Sequence, residues 1–176
     1  MILRKAVESD FAEIVDLANL AYRGREGTTP SWNIEKGIVS GQRLDDSLLR
    51  EELAQKLDGA LLVYREDPQG SLLGTVWLNP ESDGVWYMGL LTVRPDLQNR
   101  QLGRKLLAAA EEYARDRGAT RIRIGVLHVR DTLIAWYERR GYRHTGESEP
   151  WPADDPRVGT PLVENLRFLI LEKDLV

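Results

Sequence analysis

The chain has 176 residues, 42% of them hydrophobic and 30% charged, a balance that suits one domain with a sizeable core and argues against disorder. Lys and Arg number 24 against 28 Asp and Glu, and the net charge of −4 offers no bulk attraction to a phosphate backbone, so no nucleic-acid partner is expected. The absence of cysteine removes disulfides, thiolate nucleophiles and Cys-ligated zinc, and fits a cytoplasmic protein.

No run approaches the roughly 20 apolar residues of a membrane span, and the start MILRKAVESDF lacks the apolar core of a signal peptide, so no membrane partner is expected. One domain is therefore read over residues 1–176. Ile2-Leu3-Arg4-Lys5 reads as a first strand. Ser9 or Asp10 offers a helix N-cap, with Asp10 and Glu13 at capping-box spacing, and Phe11, Ile14, Val15, Ala18 and Tyr22 carry a helix to about Arg23. Gly24, Gly27 and Pro30 break it. Residues 24–43, around Trp32, show no period. Asp45 or Asp46 starts a second helix through Leu48, Leu49, Leu53 and Leu57, ended by Gly59. The period then becomes strand-like. Residues 60–64, 72–78 and 85–93 are apolar runs separated by turn clusters at 66–70 and at Asn79-Pro80 with Asp83-Gly84, which reads as three consecutive antiparallel strands. Leu102, Leu106, Ala109, Ala110, Tyr113 and Ala114 form one face of a third helix, closed by Gly118. Residues 121–127 alternate as a strand, 131–140 form a fourth helix closed by Gly141, and 142–148 and 165–173 are the last strands. The order β-α-α-β-β-β-α-β-α-β-β gives an α/β fold: a mixed sheet flanked by helices, parallel at the late β-helix-β crossover and antiparallel elsewhere.

The strongest chemical signal lies at residues 90–107, LLTVRPDLQNRQLGRKLL. A strand ends, a short loop follows, and a helix begins at once. Unpaired N–H groups and the positive dipole end make such a helix start suited to phosphate, and Arg100, Arg104 and Lys105 add charge in the same turn. These residues alone leave open an anion site or a merely solvated basic turn. Neither G-x-x-x-x-G-K-[ST] nor G-x-G-x-x-G is present, which excludes a P-loop and disfavours a dinucleotide fold.

The strand, Val93-Arg94-Pro95, and Gln98 followed by Gly103 at a helix start resemble the acetyl-CoA motif of the GNAT superfamily of N-acetyltransferases, whose pattern is [QR]-x-x-G-x-[GA]. Gln101 stands where the first glycine is usual, and a Gln there is accommodated best at negative φ. A second segment, from Arg130 through Trp136 and Tyr137 to Gly141-Tyr142, resembles that family's N-x-x-A-x-x-x-Y-x-x-x-G-[FY] run, with Arg130 and Leu133 replacing its Asn and Ala. The resemblance covers about 60–147, and the element order extends the likeness over nearly the whole chain. The resemblance implies a GNAT-like fold and acetyl transfer from acetyl-CoA, as cosubstrate, to a primary amine. It implies that Leu91, Thr92 and Val93 offer backbone to the pantetheine arm. Backbone N–H groups of Gln98, Asn99, Arg100, Gln101, Leu102, Gly103 and Arg104 would cradle the pyrophosphate, and Arg130 and Trp136 would line the other side. Tyr137 would protonate the departing thiolate, although the residues alone also fit a core aromatic with a satisfied hydroxyl.

A base is harder to find. The strand 85–93 has no carboxylate. His128, on the parity of Ile122, Ile124 and Val126, is the catalytic candidate, against the reading of a strand-end residue with no task. Two histidines without paired carboxylates make no metal site. Trp32, Arg43 and Trp151, in long loops beside the sheet, are candidates for acceptor contact. The expected acceptor is a small-molecule amine. A protein amino group, or a catalytically weak acyl-CoA sensor, are the alternatives, and a homodimer is an open arrangement.

Overall fold

The computed structural model describes every residue except Thr29, and every side chain except those of Thr29, Gln98 and Asn99. In chain order the elements are β1 (Ile2–Lys5), α1 (Phe11–Arg23), β2 (Val39–Ser40), α2 (Asp46–Gln55), β3 (Ala60–Arg65), β4 (Leu72–Ser82), β5 (Val85–Val93), α3 (Leu102–Arg115), β6 (Arg121–Leu127), α4 (Asp131–Glu138), β7 (Arg143–Pro150), β8 (Thr160–Pro161) and β9 (Arg167–Asp174). Strand alternation sorts the core. In β3, Ala60, Leu62 and Tyr64 face one way and join Leu106, Ala110, Ala114 and Tyr137 of α3 and α4. Leu61 and Val63 face the other way and join Ile14, Leu17, Leu48 and Leu49 of α1 and α2. Helices therefore cover both faces of one seven-stranded sheet, ordered β1-β3-β4-β5-β6-β9-β7.

The expected element order and the parallel β5–β6 crossover are present. Two details of the topology go beyond the sequence reading. The last strand, β9, inserts between β6 and β7, antiparallel to both. The segment 24–43, which shows no period, and the connection between the last two expected strands pair through β2 and β8 in a two-residue ribbon. Other boundaries shift for local reasons. Pro80 lies inside β4, not in a turn, because β3 has ended at the Ala60–Leu78 pair and no strand on that side needs the missing N–H. Helix α2 starts with Asp45 accepting from the Leu48 N–H at 2.7 Å, as expected, but ends at Gln55, leaving Leu57 exposed. In α3, Leu107 is buried in place of Ala109.

Asp10 does not cap α1. Its carboxylate takes the Val7 N–H at 2.8 Å, Arg4 at 2.7 and 3.0 Å, and Arg65 at 2.8 Å, while Glu13 binds the same Arg65 nitrogen at 2.8 Å. Two guanidiniums outbid the first helical turn for the carboxylate, because charged partners make the stronger hydrogen bonds. The network ties β1, β3 and the start of α1 together.

The feature that prepares a site is in β5. Leu90 has φ +51°, and the β4 register shifts so that Gly89 faces Trp77 while Thr92 faces Thr75. Leu90 and Leu91 thus oppose Val76 alone, which is a β-bulge and bends the strand. On its other side β5 pairs with β6 only at Val85–Arg121, Trp86–Ile122 and Tyr87–Arg123. Beyond Tyr87 the two strands part, and β6 remains supported by β9 along its whole length. The result is a gap in the middle of the sheet.

Candidate active site

The gap opens into a cavity of about 240 Å³. Its walls include Leu90 and Leu91 from β5, Ile124 to Leu127 from β6, and Leu133 and Tyr137 from α4. The segments flanking the β2–β8 ribbon close it, with Trp151 stacked on Phe168 at 5.6 Å. Tyr22, Glu35, Arg43, Glu52 and Tyr87 bring polar groups to the same space.

A second cleft lies at the start of α3, lined by Val93, Gln101, Gly103, Arg104, Trp32, Trp136 and Arg140. Gln101 has φ +58°, the left-handed region, so the negative φ expected for a non-glycine here is not what the chain adopts. The 3₁₀ turn Pro95–Arg100 ends at this residue and α3 begins just after it. That abrupt reversal aims the first α3 N–H groups, which have no acceptor within the helix, at the cleft. The left-handed conformation costs a non-glycine about 1–2 kcal/mol, which the Gly of the related motif avoids. No side chain caps the helix start. Arg104 and Arg140 add two guanidiniums, and neither pairs with a carboxylate among the described residues. Gly103 lies under the two indoles: a Cβ there would stand 3.5 Å from Trp32 Cζ2 and 3.7 Å from Trp136 Cζ2. Donors, positive charge and aromatic faces therefore converge on a cleft suited to a phosphate-bearing ligand.

Residues 31–35 form a strap between cleft and cavity. Trp32 packs on Trp136 with ring centres 4.9 Å apart. The Asn33 amide donates to the Leu91 carbonyl at 2.7 Å. Arg130 donates to the carbonyls of Trp32 and Asn33. Glu35 is ion-paired with Arg23, which also donates to the Gly41 and Val158 carbonyls at 2.8 and 2.9 Å.

Tyr137 stands on the cavity wall within an aromatic row. Trp136 meets it edge-on at 5.0 Å, and Tyr142 at 5.4 Å. The two tyrosines differ at their hydroxyls. That of Tyr142 donates to Glu111 at 2.9 Å, and Lys173 donates to the same carboxylate. That of Tyr137 makes no hydrogen bond among the described residues. Burial pushes the Tyr137 hydroxyl well above its ordinary pKa, so it holds its proton at any physiological pH.

The structure thus places Val93, Gln101, Gly103, Arg104 and Trp136 on the cleft, and Leu91 and Tyr137 on the cavity. Leu102 contributes only its backbone, since its side chain is buried in the core, and Thr92 is likewise buried. Arg100 is exposed on the 3₁₀ turn. The side chains of Gln98 and Asn99 lie outside those described. Arg130 lines the cavity rather than the phosphate cleft, because the strap carbonyls hold its guanidinium. His128 is placed apart: its Nδ1 faces the Arg167 backbone N–H at 3.3 Å, and the ring lines neither space. As a turn residue past the end of β6 it no longer follows the strand parity that pointed it toward the site.

Residues 12–142 match the acetyltransferase (GNAT) family. The chain belongs to that family. Mycothiol acetyltransferase of Saccharopolyspora erythraea is 28% identical to it over 109 residues, covering 62% of this chain and 35% of that protein. Mycothiol acetyltransferase of Cellulomonas flavigena is 32% identical over 118 residues, covering 60% and 33%. The chain spans about a third of the length of these relatives. Among solved structures, the ribosomal-protein-alanine N-acetyltransferase of Brucella melitensis superposes with a TM-score of 0.68 at 18% identity, covering 99% of both chains. The yncA protein of Salmonella typhimurium, solved with acetyl-CoA as its cofactor, gives 0.62 at 22% identity, covering 100% of this chain and 94% of that one. The mixed sheet with its central gap is thus a GNAT fold.

Several residues of this GNAT site were not singled out from the sequence. Asn33, Glu35 and Tyr22 come from α1 and the aperiodic segment after it, where no local pattern announces which side chains turn inward. Glu52 and Tyr87 read as ordinary helix and strand positions. Arg140 read as the last residue of a helix, yet its guanidinium lies 3.7 Å from the centre of the Trp136 ring and faces the cleft.

Proposed function

We propose that the protein transfers an acetyl group from acetyl-CoA to the primary amine of a small molecule. One observation carries this reading: consecutive residues of α4, Trp136 and Tyr137, line respectively the anion-suited cleft at the α3 N-terminus and the cavity at the sheet gap, and the Tyr137 hydroxyl is protonated and without a hydrogen-bond partner among the described residues. The cleft fits the pyrophosphate, through the first N–H groups of α3 with Arg104 and Arg140 as counter-charges. The gap fits the pantetheine arm laid beside β5 as an added strand. The Leu91 carbonyl keeps one lone pair beyond the Asn33 bond, so the arm reaches it alongside the strap or in its place.

Within the cavity the amine nitrogen attacks the thioester carbonyl carbon. The C–S bond breaks as the N–C bond forms. The sulfur takes the proton of Tyr137, and the acceptor, which starts as an ammonium, gives up one proton before attack and a second after it, the second restoring the Tyr137 hydroxyl. The cavity wall carries two carboxylates, Glu35 and Glu52. Glu35 is committed to Arg23, whereas Glu52 forms no ion pair among the described residues and is the one able to accept the ammonium proton, directly or through water. Backbone N–H groups around the Leu90 bulge, which lines the cavity, are suited to serve as donors for the oxyanion. No helix among the described residues is long and apolar enough to cross a membrane.

Free CoA release from acetyl-CoA, followed over a panel of small amines, tests the reading. Steady release with at least one small amine, above the rate with no amine, is the expected result. Release only with a peptide N-terminus or lysine would move the acceptor to protein amino groups. Binding of acetyl-CoA with no release for any amine would favour an acyl-CoA sensor.

A further inference from the structure

The cavity carries a positive charge for which the acetyl-transfer reading alone has no use. Two arginines line it, Arg43 and Arg130, and a third, Arg23, reaches its lining residue Glu35. Arg23 is bound to Glu35, and Arg130 to the carbonyls of Trp32 and Asn33. Arg43 is different. Its guanidinium lies over the Tyr22 ring, 5.1 Å from the centre, and forms no ion pair among the described residues. It lines the cavity with Tyr22 and Tyr87, and its charge is felt at both hydroxyls. The residue is also fixed from below. The Asn19 side chain of α1 accepts the N–H groups of Arg43 and Leu44 at 2.7 and 3.1 Å, and donates to the Leu44 carbonyl at 2.8 Å. A guanidinium held by its backbone and stacked on one ring face loses little further freedom when it binds a planar anion.

Resting on the acetyl-transfer reading, we propose that Arg43 anchors a carboxylate of the acceptor, so that the acceptor is a free amino acid or a close analogue carrying both amine and carboxylate. The guanidinium and Tyr137 border one cavity of about 240 Å³, so a single small molecule spans both groups. The amine end then lies on the Tyr137 side of the cavity, and the acid end lies at Arg43. Apolar walls from Val126, Leu127 and Trp151 are left for the side chain. A lysine within a protein, or a peptide N-terminus, has no free carboxylate at that distance from its amine and leaves Arg43 unsatisfied.

The test compares free amino acids with their carboxamides, which keep the amine and side chain and lose the charge. CoA release is measured with the intact protein, and acetyl-CoA binding is measured separately by calorimetry. A charge-assisted contact of this kind gives about a 10–100-fold preference, so amino acids should exceed their amides in kcat/KM by that factor. Arg43→Met retains the stem over Tyr22 and should collapse the acid-over-amide preference by at least tenfold, mainly through KM for the acid, while Arg43→Lys should restore part of it. Equal turnover of acids and amides by the wild type, or a preference that survives Arg43→Met in a folded sample, would overturn the anchor and leave acetyl transfer standing. No release above the acceptor-free rate with any acceptor would overturn the acetyl-transfer reading, and the anchor with it.

Discussion

Replacing Tyr137 by Phe is expected to lower kcat by about 10²–10⁴-fold, equivalent to ~3–5 kcal/mol at the barrier. The expected size follows from what the hydroxyl does not do. It makes no hydrogen bond among the described residues, yet the ring is packed between Trp136 and Tyr142 and is only 7% exposed. Phe keeps that packing, so the melting temperature and the acetyl-CoA affinity should stay near wild type. A thiolate leaving from carbon gains from a proton donor held in place, and burial keeps this hydroxyl protonated. Steady-state kinetics with an accepted amine give the answer. Full turnover by the variant would reduce Tyr137 to a core aromatic. Loss of stability together with activity would mean that the hydroxyl is structurally bonded.

The largest stability effect is expected at the other end of the sheet, for Asp10→Ala. Asp10 is 2% exposed and Arg65 is 6% exposed, and the substitution leaves that arginine with the half-exposed Glu13 as its one carboxylate among the described residues, beside the Gly70 carbonyl. Removing one partner of a buried ion pair costs about 3–5 kcal/mol. For a chain of this size that lowers the melting temperature by roughly 6–20 °C. The pH dependence has a definite sign. The Arg4 hydrogen bond, with the Val7 N–H and Arg65, holds the Asp10 carboxyl well below the usual carboxylate range. A depressed native pKa contributes stability that is fully present above the unfolded value of about 4 and is lost as the pH falls through the native one. Wild-type melting temperature should therefore drop on acidification below about pH 4, and the variant should start lower and drop less. Parallel curves for the two proteins would show that Asp10 is not coupled to folding in this way. Glu35, by contrast, belongs to the cavity, and its pairing with Arg23 fixes the strap rather than the sheet.

How far the residues announce this molecule depends on the distance over which a pattern acts. Apolar periodicity within 11–18 residues is local, and it places α1, α3, β3, β5 and β6 nearly at their observed limits. The motif at residues 98–104 is local too, because a helix start, its unpaired N–H groups and its basic residues are consecutive. The insertion of β9 between β6 and β7 is a choice of neighbour, and periodicity carries no neighbour information. The β2–β8 ribbon has two residues on each side, too few to show alternation, and joins segments about 120 residues apart. The same limit hides the cavity. Tyr22, Glu52 and Asn33 enter it because α1, α2 and the ribbon are fixed by contacts far along the chain. Strand parity misled at His128, since the strand had already ended. The left-handed Gln101 shows the reverse case: the family motif marks the position with glycine, and this chain adopts the glycine conformation without the glycine.

The central claim is that acetyl-CoA binds at the start of α3 and enters the sheet gap, and calorimetric titration of acetyl-CoA into the wild type and Gly103→Glu tests it most directly. Gly103 is not at positive φ, and a Cβ there meets Trp32 at 3.5 Å, an ordinary contact, so the variant should fold. A carboxylate in the first turn of a helix favours the helix itself. It would also place negative charge where the pyrophosphate must lie, between the first N–H groups of α3, Arg104 and Arg140. The account predicts one acetyl-CoA bound per wild-type chain and affinity at least tenfold weaker in Gly103→Glu. No binding by the folded wild type at millimolar acetyl-CoA, or equal affinity in the two proteins, would contradict it.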